Sequence, residues 1–364
     1  MTLTTVVLHW LTERAATLAT GVAEEREGSS LEIRRLDMEA YRRHFPSSGF
    51  TVFQRSEVLS VLDEYAESDL ELYGAFKGQE AVGLIPVFVT DYAVGRTVCS
   101  PPVSRGIPHM GPVFMPTSPK QRKRERGNAE FLRGVVDALE DDPRLTVFRV
   151  LCRPDYTDPR PYAWSDQRIT PYFTYVLDVG DRSTEDLLAG FTRDLRSEIR
   201  KSRDLDMEIS VEDDGAAARV GADVAERYAE QGESTAVTPG FVEDVVSALG
   251  HRARTYVARD PAGEYLGGIV VLYADDTAYF WQGGVAGNYE GVSVNSALHW
   301  EILTDIATDP PVDSVDRYDL VGANTERLSE YKAKFGGDLV PYYLAESDGP
   351  GMGVAKRAYE VMRT

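Results

Sequence analysis

The sequence is poor in the residues that build disulfide scaffolds and metal sites. It has two cysteines in 364 residues, which excludes a secreted disulfide-rich scaffold. None of its five histidines stands at helical ligand spacing from another, so we expect no metal site. No apolar run approaches the roughly 18 residues of a membrane span, so no transmembrane segment is predicted. Because 43% of the residues are hydrophobic, a mostly disordered chain is also excluded.

Lysine is scarce, whereas acidic residues are abundant. Asp and Glu number 59 against 39 Lys and Arg, which gives a net charge of −20, and only seven of the basic residues are lysine. Carboxylate-rich surfaces with few lysines suit a cytosol of molar salt, where screening removes self-repulsion. We therefore predict a cytoplasmic, halophilic protein. In such a proteome a net negative charge does not exclude a nucleic-acid partner.

Periodicity in the second half predicts alternating helices and strands. Ser183–Asp186 is a capping-box pattern, and apolar residues then recur every four positions to Ile199, which predicts one long helix. Thr238 and Pro239 begin another helix, which Gly250 ends. A further helix is predicted to be capped by Asn324. The element order of this half is β-α-α-β-β-β-loop-α-β-α-β.

The first half repeats this order weakly. Corresponding elements stand about 170–183 residues apart, without a residue-level repeat. We therefore predict two units of one architecture, residues 31–170 and 171–347. Residues 1–30 are predicted to be an N-terminal extension and residues 348–364 a C-terminal helix.

Three stretches of the second half carry a family resemblance. They are Arg193–Ser202, Tyr279–Gly284 followed by Asn295–Trp300, and Tyr318–Asn324 followed by Tyr331–Gly337. With the element order, they resemble the Fem-type aminoacyltransferases and their FemAB-like or BioF2-like relatives in the GNAT superfamily. The resemblance implies an α/β fold, with two tandem GNAT-like units of mixed sheet that meet across a cleft. It also implies transfer of an acyl or aminoacyl group to an amine, in cell-surface glycan or peptide biosynthesis.

The resemblance implies an acyl donor, either acyl-CoA or aminoacyl-tRNA, and no tightly bound cofactor. A basic stripe at Arg193, Arg196, Arg200 and Arg203, with Lys201 beside it, lies on one helical face and could bind donor phosphates. The alternative is a solvated face paired with neighbouring carboxylates. The predicted donor-binding residues are Arg196, Arg200, Lys201, Gln282, Gly283, Gly284 and Asn295.

Tyr331 and Lys332 are the predicted catalytic residues. In GNAT enzymes a tyrosine in this helix can protonate the leaving group, and in Fem-type enzymes the matching lysine contacts the donor or its developing negative charge. The alternative is that Tyr331 packs in the core while Lys332 extends to solvent. His299 is predicted to be a core residue.

The first unit is expected to bind the acceptor. Its long proline- and glycine-rich loop, residues 101–112, contains Arg105 and His109, which are the acceptor-site candidates. The basic run Lys120–Arg126 is either an RNA-contact surface or a solvated face.

Two further functions stay open. One is a CoA-dependent N-acetyltransferase of an amino sugar or small amine, and the other is an inactive GNAT-like scaffold. The expected partners are a small-molecule, peptide or glycan amine and, for the aminoacyl donor, tRNA.

Overall fold

A computed structural model describes residues 31–92, 95–140, 145–213, 215–232, 235–283 and 287–347. The predicted N-terminal extension, the predicted C-terminal helix and Gly284 lie outside the described residues. Within those ranges, the helices and strands follow the predicted order in both halves.

The first half runs from β1 to β7. Its elements are β1 (Glu32–Leu36), α1 (Met38–His44), a 3₁₀ turn (Val52–Gln54), α2 (Ser56–Tyr65), β2 (Asp69–Lys77), β3 (Glu80–Tyr92), β4 (Gly95–Ser100), β5 (Val113–Phe114), α3 (Gln121–Glu140), β6 (Leu145–Leu151), α4 (Arg160–Ala163) and β7 (Gln167–Asp178).

The second half runs from α5 to β15. Its elements are α5 (Thr184–Gly190), α6 (Arg193–Ser202), β8 (Glu208–Val211), α7 (Ala216–Glu230), α8 (Pro239–Leu249), a 3₁₀ turn (Gly250–Arg252), β9 (Ala253–Arg259), β10 (Tyr265–Tyr273), β11 (Thr277–Gly283), β12 (Asn288–Tyr289), β13 (Val292–Ser293), α9 (Val294–Thr308), β14 (Arg317–Asp319), α10 (Glu326–Ala333) and β15 (Asp338–Ser347).

Among the described residues, thirteen strands form one continuous mixed sheet. Their order is β1-β2-β3-β4-β6-β15-β7-β14-β11-β10-β9-β8, with β5 paired to β3. In the described part of the chain, β4 pairs with β6 and β11 pairs with β14 in parallel, and the other neighbours in this order are antiparallel. The units are therefore joined through a shared sheet as well as by loops. The boundary predicted at residue 170 falls inside β7 and stays a prediction.

The two halves exchange their last strands at the centre of this sheet. β7 pairs with β14 of the second half, and β15 pairs with β6 of the first half. β7 and β15 also pair with each other, with Tyr172 opposite Tyr342. The strand order is symmetrical about this pair, with β6 on one side and β14 on the other, and the carboxyl ends of β6 and β14 approach each other from opposite directions.

Helices from both halves share the core on one face of the sheet. Phe241 of α8 packs against Tyr65 of α2 and Trp281 of β11, with ring centroids 5.3 and 5.8 Å apart. The opposite face carries two separate cores, one under α3 and α4 and one under α5, α6 and α9. Burial of a large apolar side chain stabilises a fold by about 1.5–3 kcal/mol, so the shared core binds the halves tightly.

Two local predictions were wrong. The predicted long helix is broken into α5 and α6 because Phe191 and Thr192 are extended. The apolar residues keep their four-residue spacing across the break, and all of them are buried: Leu187, Phe191, Leu195 and Ile199. The spacing alone therefore could not predict the break. The cap of α10 is Thr325, whose hydroxyl accepts from Leu328 N–H.

Asn324 has a tertiary role in place of the predicted cap. Its Oδ1 accepts a hydrogen bond from Phe173 N–H of β7 at 2.7 Å, and its Nδ2 donates to the hydroxyl of Tyr342 at 3.2 Å. The side chain therefore ties the turn before α10 to the two exchanged strands. A preference of asparagine for helix caps cannot anticipate such a contact.

Gly336 offers a test of how closely α10 is packed against α5. It has a φ of +69°, and a Cβ there would overlap the carbonyl oxygen of Gly190. Gly263 has a φ of +84° with open space around it. Gly263→Ala should lower the free energy of unfolding by about 1 kcal/mol, whereas Gly336→Ala should lower it by at least about 2 kcal/mol more. Urea denaturation measures both, and equal losses would contradict the close contact.

Candidate active site

Lys332 lies on α10 with its ammonium group buried. The residue is only 4% exposed, and Nζ donates to the carbonyl oxygens of Val321 (2.5 Å) and Gly322 (2.6 Å). Nζ also lies 5.6 Å from the centre of the Phe280 ring. Burial lowers the pKa of Lys332 to about 8, although the Asp319 carboxylate favours the charged form. An ammonium has three N–H groups, and these two carbonyls use two of them.

The carbonyl groups that hold Lys332 belong to a strained turn after β14. Val321 has a φ of +53°, a left-handed conformation that β-branched residues rarely adopt. Asp319 fixes the turn, since its Oδ1 accepts from Val321 N–H (2.7 Å) and from the Thr174 hydroxyl (2.5 Å). Gly322 N–H donates to Thr174 Oγ1 at 3.2 Å. Strained backbone held by several hydrogen bonds is concentrated at functional sites.

A loop of the first half reaches the same turn. His109, on the loop after β4, is 1% exposed, and its Nε2 lies 3.8 Å from Asp319 Oδ2. Its imidazole packs edge-on against the rings of Phe53, Tyr279 and Tyr342. Neither imidazole nitrogen has a hydrogen-bond partner in the described part of the chain. Both halves therefore contribute to one buried polar cluster surrounded by aromatic rings.

Tyr331 precedes Lys332 on α10 and faces the start of α9. Its hydroxyl oxygen accepts a hydrogen bond from Asn295 Nδ2 at 2.7 Å. Burial raises the pKa of Tyr331 to about 12, although hydrogen bonds from Ser296 and Asn295 favour the phenolate. The phenol therefore keeps its proton at neutral pH. The structure thus joins a predicted catalytic residue to a predicted donor-binding residue.

His299 lies behind this pair in the core. It is fully buried, its Nδ1 lies 2.9 Å from the Tyr318 hydroxyl, and its ring is edge-on to Phe280 at 4.7 Å. Burial, with a smaller effect of the Lys332 charge, lowers the pKa of His299 to about 3. The imidazole is therefore neutral at physiological pH and acts as packing, as predicted.

The acceptor loop and the end of β11 meet at a second point. Trp281 Nε1 donates to the carbonyl oxygen of Gly106 at 3.0 Å. Gly106 has a φ of +66°, which favours glycine, and a Cβ there would lie 2.6 Å from Gln282 Nε2. Arg105 Nη1 donates to the carbonyl oxygen of Ala236 at 3.1 Å. Arg105 is therefore brought near Gln282 and the adjacent Gly283.

The basic residues of α6 differ in their surroundings, since some are exposed and one donates to backbone carbonyl groups. Arg200 and Lys201 are exposed. Arg196 donates to the carbonyl oxygens of Ala189 (3.0 Å) and Phe191 (2.6 Å), and so stabilises the break between α5 and α6. Lys332 instead donates to the carbonyl oxygens of Val321 and Gly322, which none of these three residues contacts in the hydrogen bonds given above. Their part in donor binding stays a prediction.

Two residues of the buried cluster, Asp319 and Thr174, are missing from the predicted site. Asp319 stands in the Tyr318–Asn324 stretch that carries the family resemblance, and an acidic residue at the end of an apolar strand was an available signal. Thr174 had no such signal, since its contact with Asp319 spans 145 residues of sequence.

The described residues offer neither a metal-binding cluster nor a membrane-spanning helix. These residues contain no group of three or more His, Cys, Asp or Glu side chains that could hold a metal ion. None of the helices described is long and apolar enough to cross a membrane.

Comparison with protein families identifies the class of protein. Residues 189–333 match the model of the acetyltransferase (GNAT) domain. The second half of the chain therefore carries a GNAT acetyltransferase domain, and the protein is a transferase of the acyl-transferring class. This confirms the predicted fold class and the predicted GNAT-superfamily resemblance. No curated protein matches the chain in sequence.

Solved structures show the same fold over most of the chain. FemX is 12% identical, with a TM-score of 0.63 over 86% of this chain and 96% of that chain. L-PGS from Bacillus licheniformis is 12% identical, with a TM-score of 0.53 over 87% of this chain and 93% of that chain. At these identities the likeness shows a shared fold, which supports the FemAB-like arrangement of two units.

The effect of Asp319 on Lys332 is directly measurable. Because the carboxylate favours the ammonium form, Asp319→Asn should lower the pKa of Lys332 below about 8. With only seven lysines, NMR titration of ¹³C-labelled lysine side chains can follow each one, and Lys332→Arg assigns the signal. Asp313→Asn, at an exposed position of the same segment, is the control and should leave the pKa unchanged. An unchanged or raised pKa of Lys332 in Asp319→Asn would contradict the stabilisation of the ammonium by the Asp319 carboxylate.

Proposed function

We propose that the protein transfers an acyl group, in the first place an aminoacyl group, to an amine on a peptide or glycan acceptor. The observation that carries this proposal is the buried ammonium of Lys332, two of whose three N–H groups are used by backbone carbonyls. A buried, oriented cation is expensive to maintain and is suited to stabilising negative charge.

In the proposed reaction, the unprotonated acceptor amine attacks the donor carbonyl carbon and forms a C–N bond. The carbonyl oxygen becomes an oxyanion, which the third N–H of Lys332 stabilises. The bond from carbon to the leaving oxygen or sulfur then breaks as the leaving group takes up a proton, and the proton that the amine nitrogen loses passes through solvent to restore the proton donor. Tyr331 is the proposed proton donor to the leaving group, because its hydroxyl accepts from Asn295 and retains its own proton.

The start of α9 favours an aminoacyl-tRNA donor over acyl-CoA. In the GNAT units this chain resembles, backbone N–H groups at this helix start bind the CoA pyrophosphate. Here Val294 N–H donates to Gly287 O (3.2 Å), and Ser296 N–H donates to Ser293 Oγ (3.2 Å). Ser293 N–H donates to the Glu198 carboxylate (3.1 Å), which would also repel a pyrophosphate.

A second candidate is an N-acyltransferase that uses acyl-CoA. It is favoured by the match of residues 189–333 to an acetyltransferase domain. In that case the pyrophosphate would have to displace Glu198 from the start of α9. His109 and Arg105 are the proposed acceptor-side residues in both cases, since their loop reaches Asp319 and the end of β11.

Transfer assays with two labelled donors separate these functions. We expect transfer from ¹⁴C-aminoacyl-tRNA to an amine acceptor and no saturable binding of acetyl-CoA by calorimetry. Lys332→Met should reduce the rate about 10²–10³-fold. Lys334→Met replaces an exposed lysine two residues further along the chain and should leave the transfer rate unchanged. Lysine-dependent transfer from acetyl-CoA alone would favour the second candidate, and transfer from neither donor would contradict both.

The pH dependence of kcat tests the charge state of Lys332. Its pKa of about 8 lies below the usual value, so the ammonium loses its proton as the pH rises through about 8. With saturating acceptor, kcat should fall above that pH. Arginine stays charged, so Lys332→Arg should move the alkaline limb to higher pH even if its maximal rate is reduced. A wild-type rate that rises steadily above pH 8 would instead indicate a neutral lysine acting as a base.

A further inference from the structure

A polar cavity of about 170 Å³ opens on the first half, away from Lys332. It lies between the first two turns of α3 and the segment that follows β6. Arg124 and Asn128 line it from α3, Arg153 and Tyr156 line it from that segment, and Phe114 of β5 adds an aromatic wall. The volume is several times the roughly 30 Å³ of one water molecule, so a small ligand fits.

The symmetrical strand order makes this cavity the counterpart of the part of the candidate active site that holds Asn295 and Tyr331. α3 connects the parallel strands β4 and β6, as α9 connects β11 and β14. Asn128 on α3 accepts a hydrogen bond from the Tyr156 hydroxyl at 2.8 Å. Asn295 on α9 donates to the Tyr331 hydroxyl at 2.7 Å. Each half therefore has a long helix whose asparagine binds a tyrosine beyond the parallel strand.

The charge around the cavity favours an anion. In a protein of net charge −20, four cations, Lys120, Arg122, Lys123 and Arg124, crowd the start of α3, and no acidic residue lies in its first turn. Cations at a helix start oppose the helix dipole and repel one another, so this arrangement destabilises the helix. A bound anion would relieve both effects.

Each carboxylate that lines the cavity is paired with at least one arginine. Asp158 and Glu125 both pair with Arg160, at 2.6 and 3.3 Å. Asp155 lies 3.5 Å from both Arg153 and Arg317. In the part of the chain that the structure describes, the buried Nε of Arg153 has no hydrogen-bond partner. The exposed guanidinium of Arg124 lines the same cavity and is the donor that an anion there would meet first.

We propose that this cavity binds a small phosphate ester, with the phosphate held by Arg124 and Arg153 and the rest of the molecule against Phe114. Guanidinium groups suit phosphate because they donate paired hydrogen bonds. The site is independent of the transfer reaction proposed above, so either can fail without the other.

Calorimetry on the full chain at about 0.15 M salt tests the site, with inorganic pyrophosphate and adenosine 5′-monophosphate as probes. Saturable binding of one equivalent is expected. Arg124→Glu should weaken it about tenfold or more, because it replaces a charge-assisted hydrogen bond by repulsion. Arg122→Glu is the control, because it changes the charge of the same exposed helix by the same amount but does not line the cavity. We expect it to weaken binding at most about twofold, since salt screens its long-range repulsion of the anion.

Two further variants make the outcome decisive. Asp155→Asn removes a carboxylate from the cavity and should tighten phosphate binding, whereas Lys332→Met should leave it unchanged. Tighter binding of adenosine monophosphate than of pyrophosphate would support an ester whose organic part packs against Phe114, and the reverse would overturn that part of the proposal. If Arg124→Glu and Arg122→Glu weakened phosphate binding equally, the basic residues would form only a solvated surface, and the proposal would be overturned. Absence of binding to the wild type would also overturn it.

Discussion

The pairing of β7 with β15 is the interaction on which the rest of the structure depends. Ten residue pairs join these strands, and each strand also pairs with a strand of the other half. Neither half can complete its sheet alone, because the last position is filled by the partner half. The exchange brings the carboxyl end of β14 against the loop after β4, and so creates the cluster of Asp319, His109 and Lys332.

A buried cation in that cluster needs continuous support from its surroundings. Lys332 is desolvated, and its charge is compensated by two carbonyl dipoles and by Asp319 nearby. Those carbonyl groups point correctly only because Val321 is held left-handed by Asp319 and Thr174. Thr174 is on β7, so the strand exchange itself fixes the geometry around the ammonium.

The predictions that succeeded depended on local patterns. Periodicity and capping gave the order of elements, and the Tyr331–Gly337 stretch led to Lys332, which lies at the centre of the candidate site. The predictions that failed involved a choice between local and tertiary contacts. Asn324 could have capped α10 but binds two central strands, and the break at Phe191 leaves the apolar spacing unchanged. The halophilic character stays a prediction from composition.

The sequence by itself determined the element order, the duplicated architecture and the residue types available for acyl transfer, because side-chain period and turn chemistry act over a few residues. Only the tertiary structure decided which strands are neighbours and which side chains lie together. Thr174 and Asp319 are separated by 145 residues of sequence. Paired residues on the exchanged strands are also far apart in the sequence, as Leu151 and Leu344 are. Such contacts form through burial and strand pairing of the whole sheet, which no local pattern encodes.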